Sequence, residues 1–307
     1  MAMTLDPDAA RLIDALRSAA RPPLSEIPLE EIRAGVIPVP GPPMPMGSVE
    51  DRLLEKDGHQ VPVRIYEPLQ SGNVGTTVFF HGGGWVMGSL ESHDALARQL
   101  CHASSHRVVA VEYRLAPEHP YPAALDDAMA AVHWVAESLA GPVAVCGDSS
   151  GGNLAASTCL MARDQQGPQI VAQALIYPVT DSRLETASCR ENICEEMLSR
   201  EDMQWFWHQY CPDSALARSP YLSPLNGNLS GLPPALVLMA ECDVLRDEVQ
   251  AYADALQHAG VRVERIHCEG LIHGFMRRLH LFRRAADYCG QIGEFLNRHL
   301  RTAPIRE

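Results

Sequence analysis

Four segments of the chain carry residue types that together could cleave an acyl bond. In Val143-Ala144-Val145-Cys146-Gly147-Asp148-Ser149-Ser150-Gly151-Gly152, an apolar run ends in the pattern G-x-S-x-G. The run reads as a strand and the residues after it as a helix. Glycines at 147 and 151 let strand and helix approach closely around a sharp turn with Ser149 at its apex. A serine held there in a sparsely allowed conformation presents its Oγ outward, above a helix N-terminus. Taken alone, the pattern also fits an ordinary glycine turn. His81-Gly82-Gly83-Gly84-Trp85 follows another apolar run, residues 76–80. Consecutive glycines raise the entropy lost on folding. They make sense where backbone N–H groups must meet a developing oxyanion with no side chain in the way. Asp243 stands two residues beyond the run 235–241, and His273 follows the last apolar strand in Gly270-Leu271-Ile272-His273-Gly274-Phe275. An imidazole that takes the serine proton, oriented by a carboxylate, is the equipment of nucleophilic acyl transfer.

Rival residues fit these roles less well. Asp247 falls a helical turn beyond the strand end and is expected to face solvent. Asp148 adjoins Ser149 and is directed elsewhere by geometry. His267 lies inside the last expected strand, and His280 starts the terminal helix. None of the cysteines has an activating local context. No H-x-x-x-H pair or carboxylate cluster suggests a metal, and the chemistry requires no cofactor.

The elements that must position these groups follow from periodicity. Strands are expected at residues 49–54, 61–66, 76–80, 107–112, 143–146, 170–177, 235–241 and 261–267, the first two joined at Asp57-Gly58 as a hairpin. Helices are expected at 90–104, 125–140, 153–163, 244–259 and 279–300. This alternation implies an α/β fold with a mostly parallel sheet flanked by helices, and such sheets place their sites at the C-terminal ends of strands. The first 46 residues hold a helix to about residue 20, a short helix at 28–34 and a proline-rich extended stretch. They read as a loosely held arm or as a lid. Between residues 178 and 235 the alternation breaks. A helix at 200–210 carries four aromatics in the six positions 205–210. It buries against the sheet, walls an apolar pocket, or does both with different faces; the pocket candidates are Trp85, the Trp205–Trp207 region with Trp205 and Trp207 foremost, and parts of the N-terminal arm.

Bulk properties exclude other classes. The chain has 307 residues, 46% of them hydrophobic, and a net charge of −13. That acidity argues against nucleic acid or an anionic membrane surface as partner. Nine cysteines without a C-x-x-C spacing fit a reducing compartment, and hence the cytoplasm, better than a disulfide framework. No apolar stretch is long enough to span a membrane, and the N-terminus lacks the apolar core of a secretory signal.

The HGGGW segment, Tyr113-Arg114-Leu115-Ala116-Pro117-Glu118-His119-Pro120-Tyr121-Pro122-Ala123-Ala124, Gly147-Asp148-Ser149-Ser150-Gly151-Gly152 and His273-Gly274-Phe275 together resemble the hormone-sensitive-lipase group of α/β-hydrolases. Bacterial members of that group are mostly acetyl-esterase-like carboxylesterases. The resemblance covers the chain from about residue 45 onward. It implies an α/β-hydrolase domain at 47–307 with a helical cap built from residues 1–46 and a second insertion near 180–225. It also implies a triad of Ser149, Asp243 and His273, with the backbone N–H groups of Gly83, Gly84 and Ser150 as the oxyanion hole and Gly82 as the weaker glycine candidate. The expected partner is a small-molecule ester of short to medium chain length, cleaved through an acyl-enzyme without a cofactor. Homodimers through an edge strand and the terminal helices occur in the group. Two departures stand out. Many members have Ala where this chain has Ser150, a hydroxyl expected to alter the pocket, and many have Pro where it has Val244. A longer-chain lipase and an amidase remain open as alternatives. So does a catalytically idle binding protein like the plant gibberellin receptor, although that protein lacks the catalytic histidine and this chain has His273.

Overall fold

The computed structural model describes residues 4–56, 58–70, 75–213 and 215–302. Strands β1 (Ser48–Lys56) and β2 (His59–Glu67) form the expected hairpin. Gly58 supplies a positive φ in its turn, while Asp57 lies outside the described residues. The sheet continues with β3 (Thr76–Phe80), β4 (Arg107–Val111), β5 (Val143–Asp148), β6 (Ile170–Ile176), β7 (Ala235–Cys242) and β8 (Val263–Ile272). These eight strands lie in the order β1-β2-β4-β3-β5-β6-β7-β8. β2 pairs antiparallel with β1 and β4, and every pairing beyond β4 is parallel.

Both faces of the central strands are covered, which is why those strands read as unbroken apolar runs. Val78, Val109, Val145 and Leu175 point to the face covered by α4 (Ala123–Ser138), α5 (Ser150–Asp164) and α8 (Arg246–His258). Phe79, Ala110, Cys146 and Ala174 point to the other, covered by α3 (Leu90–Ser104) and α9 (Ala285–Thr302). Alternate residues of one strand thus serve two cores.

Element ends differ from expectation where the site lies. β8 extends to Ile272, so His273 is the first residue beyond it. α5 begins at Ser150, three residues earlier than periodicity suggests. The terminal helix starts at Ala285 because residues 276–284 turn first as a short 3-10 segment, Met276–Arg278. Phe282 then buries against Phe275, with ring centroids 5.9 Å apart. An aromatic contact there outweighs the continuation of the helix.

Four helices remain: α1 (Pro7–Ala19), which seats Ala9 and Ile13 in the core on the α3/α9 face, and α2 (Leu29–Ala34), α6 (Ala187–Glu191) and α7 (Arg200–Tyr210), which stand outside the sheet layers. Asp6 caps α1, and Ser199 with Asp202 forms a capping box at α7. The N-terminal segment is tied to the 196–202 region by Arg17–Glu196 at 2.7 Å and Arg21–Asp202 at 2.8 Å. Arg33 reaches the carbonyl of Val86 at 2.9 Å. Among the described residues no helix is long and apolar enough to cross a membrane.

Candidate active site

Ser149 leaves β5 with φ 56° and ψ −119°, a conformation that L-residues rarely adopt. Close approach enforces it. A Cβ at Gly151 would lie 2.0 Å from the Phe80 carbonyl oxygen, and one at Gly147 would lie 2.2 Å from the Gly151 oxygen. The Ser149 N–H donates to Ile176 O at 2.9 Å, so the turn is also fastened to β6. Nothing but glycine fits two residues to either side of the serine.

The side chains named from separate segments meet here. Ser149 Oγ is 2.8 Å from His273 Nε2, and His273 Nδ1 is 2.8 Å from Asp243 Oδ2. The network assigns the tautomer: Nδ1–H donates to the carboxylate, which leaves Nε2 to accept from the serine hydroxyl. The other carboxylate oxygen accepts from Leu245 N–H at 3.0 Å, so Asp243 is held from two directions. All three side chains belong to buried residues. Among the rivals, Asp247 accepts from Ser188 N–H at 2.7 Å and pairs with Arg246, binding α6 to α8. His267 lies beside Glu241 on β8, and His280 is exposed.

The glycine loop turns tightly against the elbow. Gly83 O accepts from the N–H groups of Val86 and Met87. Gly82 N–H donates to Asp148 Oδ1 at 2.9 Å and is therefore engaged. Among the described residues, none accepts from the N–H of Gly83, Gly84 or Ser150. The Ser150 N–H also opens the 15-residue α5, at the positive end of its dipole. His81 braces the loop from behind. It stacks on Tyr113 with centroids 4.2 Å apart. Burial, with His93 nearby, pushes its pKa down to about 3, so the ring is neutral and Nδ1–H donates to Gly82 O at 2.9 Å.

Ser149 and His273 open into a cavity of about 700 Å³, measured with its open mouth. Leu24 from the N-terminal segment and Met197, Leu198, Met203 and Phe206 from the insertion wall it, with Met87 and Val179 from the sheet side. The expected pocket tryptophans lie elsewhere. Trp85 is fully buried and stacks on Tyr210, with centroids 4.3 Å apart and planes 8° from parallel. Trp207 packs on the same indole at 4.7 Å. Trp205 lines a neighbouring groove with Leu16 and Arg17. Helical spacing explains the exchange: 203, 206, 207 and 210 form the buried side of α7, with Met203 and Phe206 toward the cavity and Trp207 and Tyr210 toward Trp85. Trp205 points away from both. The Ser150 side chain is fully buried beside Tyr113 and does not line the cavity, so its hydroxyl does not shape the pocket. Among the described residues no group of three or more His, Cys, Asp or Glu is placed to hold a metal.

The sequence model of the alpha/beta hydrolase fold family matches residues 77–277, a span that includes the glycine loop, the elbow, Asp243 and His273. The chain belongs to the α/β-hydrolase fold family. Several of its relatives there carry the names of esterases, as the hormone-sensitive-lipase-like motifs lead one to expect. The chain is 39% identical to the carboxylesterase NlhH of Mycobacterium tuberculosis, covering 86% of this chain and 87% of that protein. It is 36% identical to an ethyl acetate hydrolase of Pseudomonas putida, covering 97% and 100%. Among solved structures, the hyperthermophilic esterase of the archaeon Pyrobaculum calidifontis superposes with a TM-score of 0.89 at 36% identity, covering 96% of this chain and 99% of that one. These α/β-hydrolases therefore match the chain over nearly its whole length.

Proposed function

We propose that the protein is a serine carboxylesterase acting on short- to medium-chain carboxylic esters, with Ser149 as nucleophile, His273 as general base and acid, and Asp243 as the group that orients the imidazole. The observation that carries this reading is the Ser149–His273–Asp243 relay, with 2.8 Å at each step, set beside three backbone N–H groups that have no acceptor among the described residues. His273 Nε2 takes the hydroxyl proton as Ser149 Oγ bonds to the ester carbonyl carbon. The oxyanion is held by Gly83, Gly84 and Ser150 N–H. When the tetrahedral intermediate collapses, the alcohol leaves with the proton from His273. Water, deprotonated by the same imidazole, then releases the acid and restores the serine. Gly82 takes no part, since its N–H is already donated to Asp148. The protein is a carboxylic ester hydrolase, and the chemistry needs no cofactor.

Residues 1–46 and the insertion near 180–225 serve as the cap of the 47–307 hydrolase domain. Leu24, Met203 and Phe206 in the cavity wall support this division. The nine cysteines, none of them in a disulfide, support a cytoplasmic setting. A p-nitrophenyl ester series from C2 to C16, with Ser149→Ala as control, tests the reading. Activity should peak at short to medium acyl chains and vanish in the variant. A maximum at C12 or longer would replace the assignment with a lipase.

A further inference from the structure

Arg277 and Arg278 line the same cavity as Ser149 and His273. They end the 3-10 turn Met276–Arg278, four and five residues past the general base. Arg277 Nη1 donates to Ile37 O at 3.3 Å, and Arg278 Nη1 donates to Gly274 O at 3.1 Å. Among the described residues, no carboxylate forms an ion pair with either guanidinium within 4.0 Å. Arg21, the third arginine of the lining, differs: it is matched by Asp202 at 2.8 Å. Asp148, the acid whose charge reaches Arg277, already accepts from Gly82 N–H and faces His93 at 3.5 Å. The chain as a whole carries 38 acidic residues against 25 basic ones, so acids are not scarce. At the cavity two adjacent cations are nonetheless left short of them.

Both guanidiniums are partly withdrawn from water. Burial lowers the affinity of each for its proton, and Arg278 falls to about 10, which still leaves it charged at neutral pH. Two adjacent like charges partly withdrawn from water are unfavourable unless an anion joins them. An arginine keeps several N–H donors after giving one to a carbonyl, and their planar fork suits a carboxylate. We propose that Arg277 and Arg278 form an anion subsite, and that the preferred substrates are esters carrying a carboxylate a few bonds from the scissile carbonyl. Half-esters of dicarboxylic acids are the simplest members of this class. The proposal rests on the esterase reading above. Hydrolysis adds water across the acyl–oxygen bond as before, and the distal carboxylate only positions the substrate.

The competing role is a fastening one, in which Arg277 merely holds the N-terminal segment through Ile37 O. The two separate in matched substrate pairs. Monoethyl glutarate against ethyl pentanoate places the charge on the acyl side; 3-acetoxypropanoate against propyl acetate places it on the alcohol side. The unaltered enzyme should favour the anionic ester of at least one pair by about tenfold in kcat/KM at low salt, mainly through KM. That preference should shrink at high ionic strength, because opposite charges in a solvent-open cleft are screened. In Arg277→Gln and Arg278→Gln the anionic-to-neutral ratio should drop several-fold, and in the double variant to one or below, with Arg277→Lys retaining part of it. Each ratio is taken within one variant, so a general loss of fold or rate cancels. A ratio at or below one for both pairs in the unaltered enzyme overturns the proposal. So does a ratio that the double variant leaves unmoved, which is the fastening outcome. If even the neutral esters resist hydrolysis, or are hydrolysed equally by Ser149→Ala, it is the esterase reading that fails instead.

Discussion

The floor and the roof of the cavity are held by different forces. The floor is backbone: the elbow at Ser149, the Gly83–Gly84 turn and the first residue past β8, each at a strand end inside a doubly covered sheet. Its tolerances are set by close contacts between main-chain atoms, such as the 2.0 Å that would separate a Cβ on Gly151 from Phe80 O. The roof is side chains: Leu24, Met203 and Phe206, carried by short helices. Besides apolar contacts, its segments are joined through ion pairs whose arginines are substantially exposed, 38% for Arg21 and 65% for Arg17. Such pairs contribute about 0–1 kcal/mol each. Chemistry that must be placed to a fraction of an ångström sits on the floor. Contacts that only select a substrate can sit on the roof, where they exchange easily.

The largest effect should follow from touching the floor's reacting atom. Ser149→Ala should lower kcat by about 10⁴-fold or more, with a melting temperature close to that of the unaltered protein. Loss of both fold and rate would mean that the serine is part of the scaffold and the comparison misplaced. Gly84→Ala tests the seam between floor and roof. The new methyl would lie 2.1 Å from the Phe206 ring, at a position with φ +59°. We expect about a 10²-fold loss in kcat as the oxyanion donor is displaced. Adding Phe206→Ala should restore part of that loss. An unrelieved double variant would place the whole effect in the backbone.

Within the roof, two neighbours should behave differently. Phe206→Ala opens the cavity and should move the preferred acyl chain longer by several carbons, with only a few-fold change in kcat/KM on short esters. Trp207→Ala removes an indole from the Trp85–Tyr210 stack behind the wall. It should lower stability by about 3–5 kcal/mol while leaving the chain-length profile in place. Thermal unfolding and the p-nitrophenyl series read the two outcomes separately.

The same division explains what could be read from the chain alone. The floor was legible because its constraints act through residue type. Only glycine fits at 147 and 151, only a nucleophile is useful at 149, and strand ends follow from apolar runs. The roof was not, because its constraints act through helical phase. Choosing Trp205 over Phe206 needs the orientation of α7 relative to Trp85, which depends on tertiary packing. The spacing of Met203, Phe206, Trp207 and Tyr210 does mark one buried side, and weighing that period above aromatic size would have pointed to Phe206. Arg277 and Arg278 carried no signal apart from following His273-Gly274-Phe275. Their significance lies in having, among the described residues, no carboxylate in an ion pair within 4.0 Å, which no linear pattern shows. The expected start of the last helix at 279 failed because the pull of Phe282 toward Phe275 is a long-side-chain contact invisible to periodicity.

The smallest expected effect is also the sharpest on the floor. Ser150 lends its N–H to the site, and a backbone donor is indifferent to the side chain it carries. Its hydroxyl points into the protein beside Tyr113, whose own O–H already donates to His81 O at 2.7 Å. Ser150→Ala therefore removes one buried oxygen and leaves the donor, the helix start and the elbow as they were. A small cavity and one weakened polar contact oppose the relief of desolvating a hydroxyl, terms of about 1 kcal/mol each that largely cancel. Alanine also favours the helix slightly. Both kcat and KM on a short ester should stay within about twofold, and the melting temperature within a few degrees. A tenfold fall in kcat would show that the hydroxyl sets the position of the glycine loop through Tyr113 and His81. The floor would then depend on side chains after all.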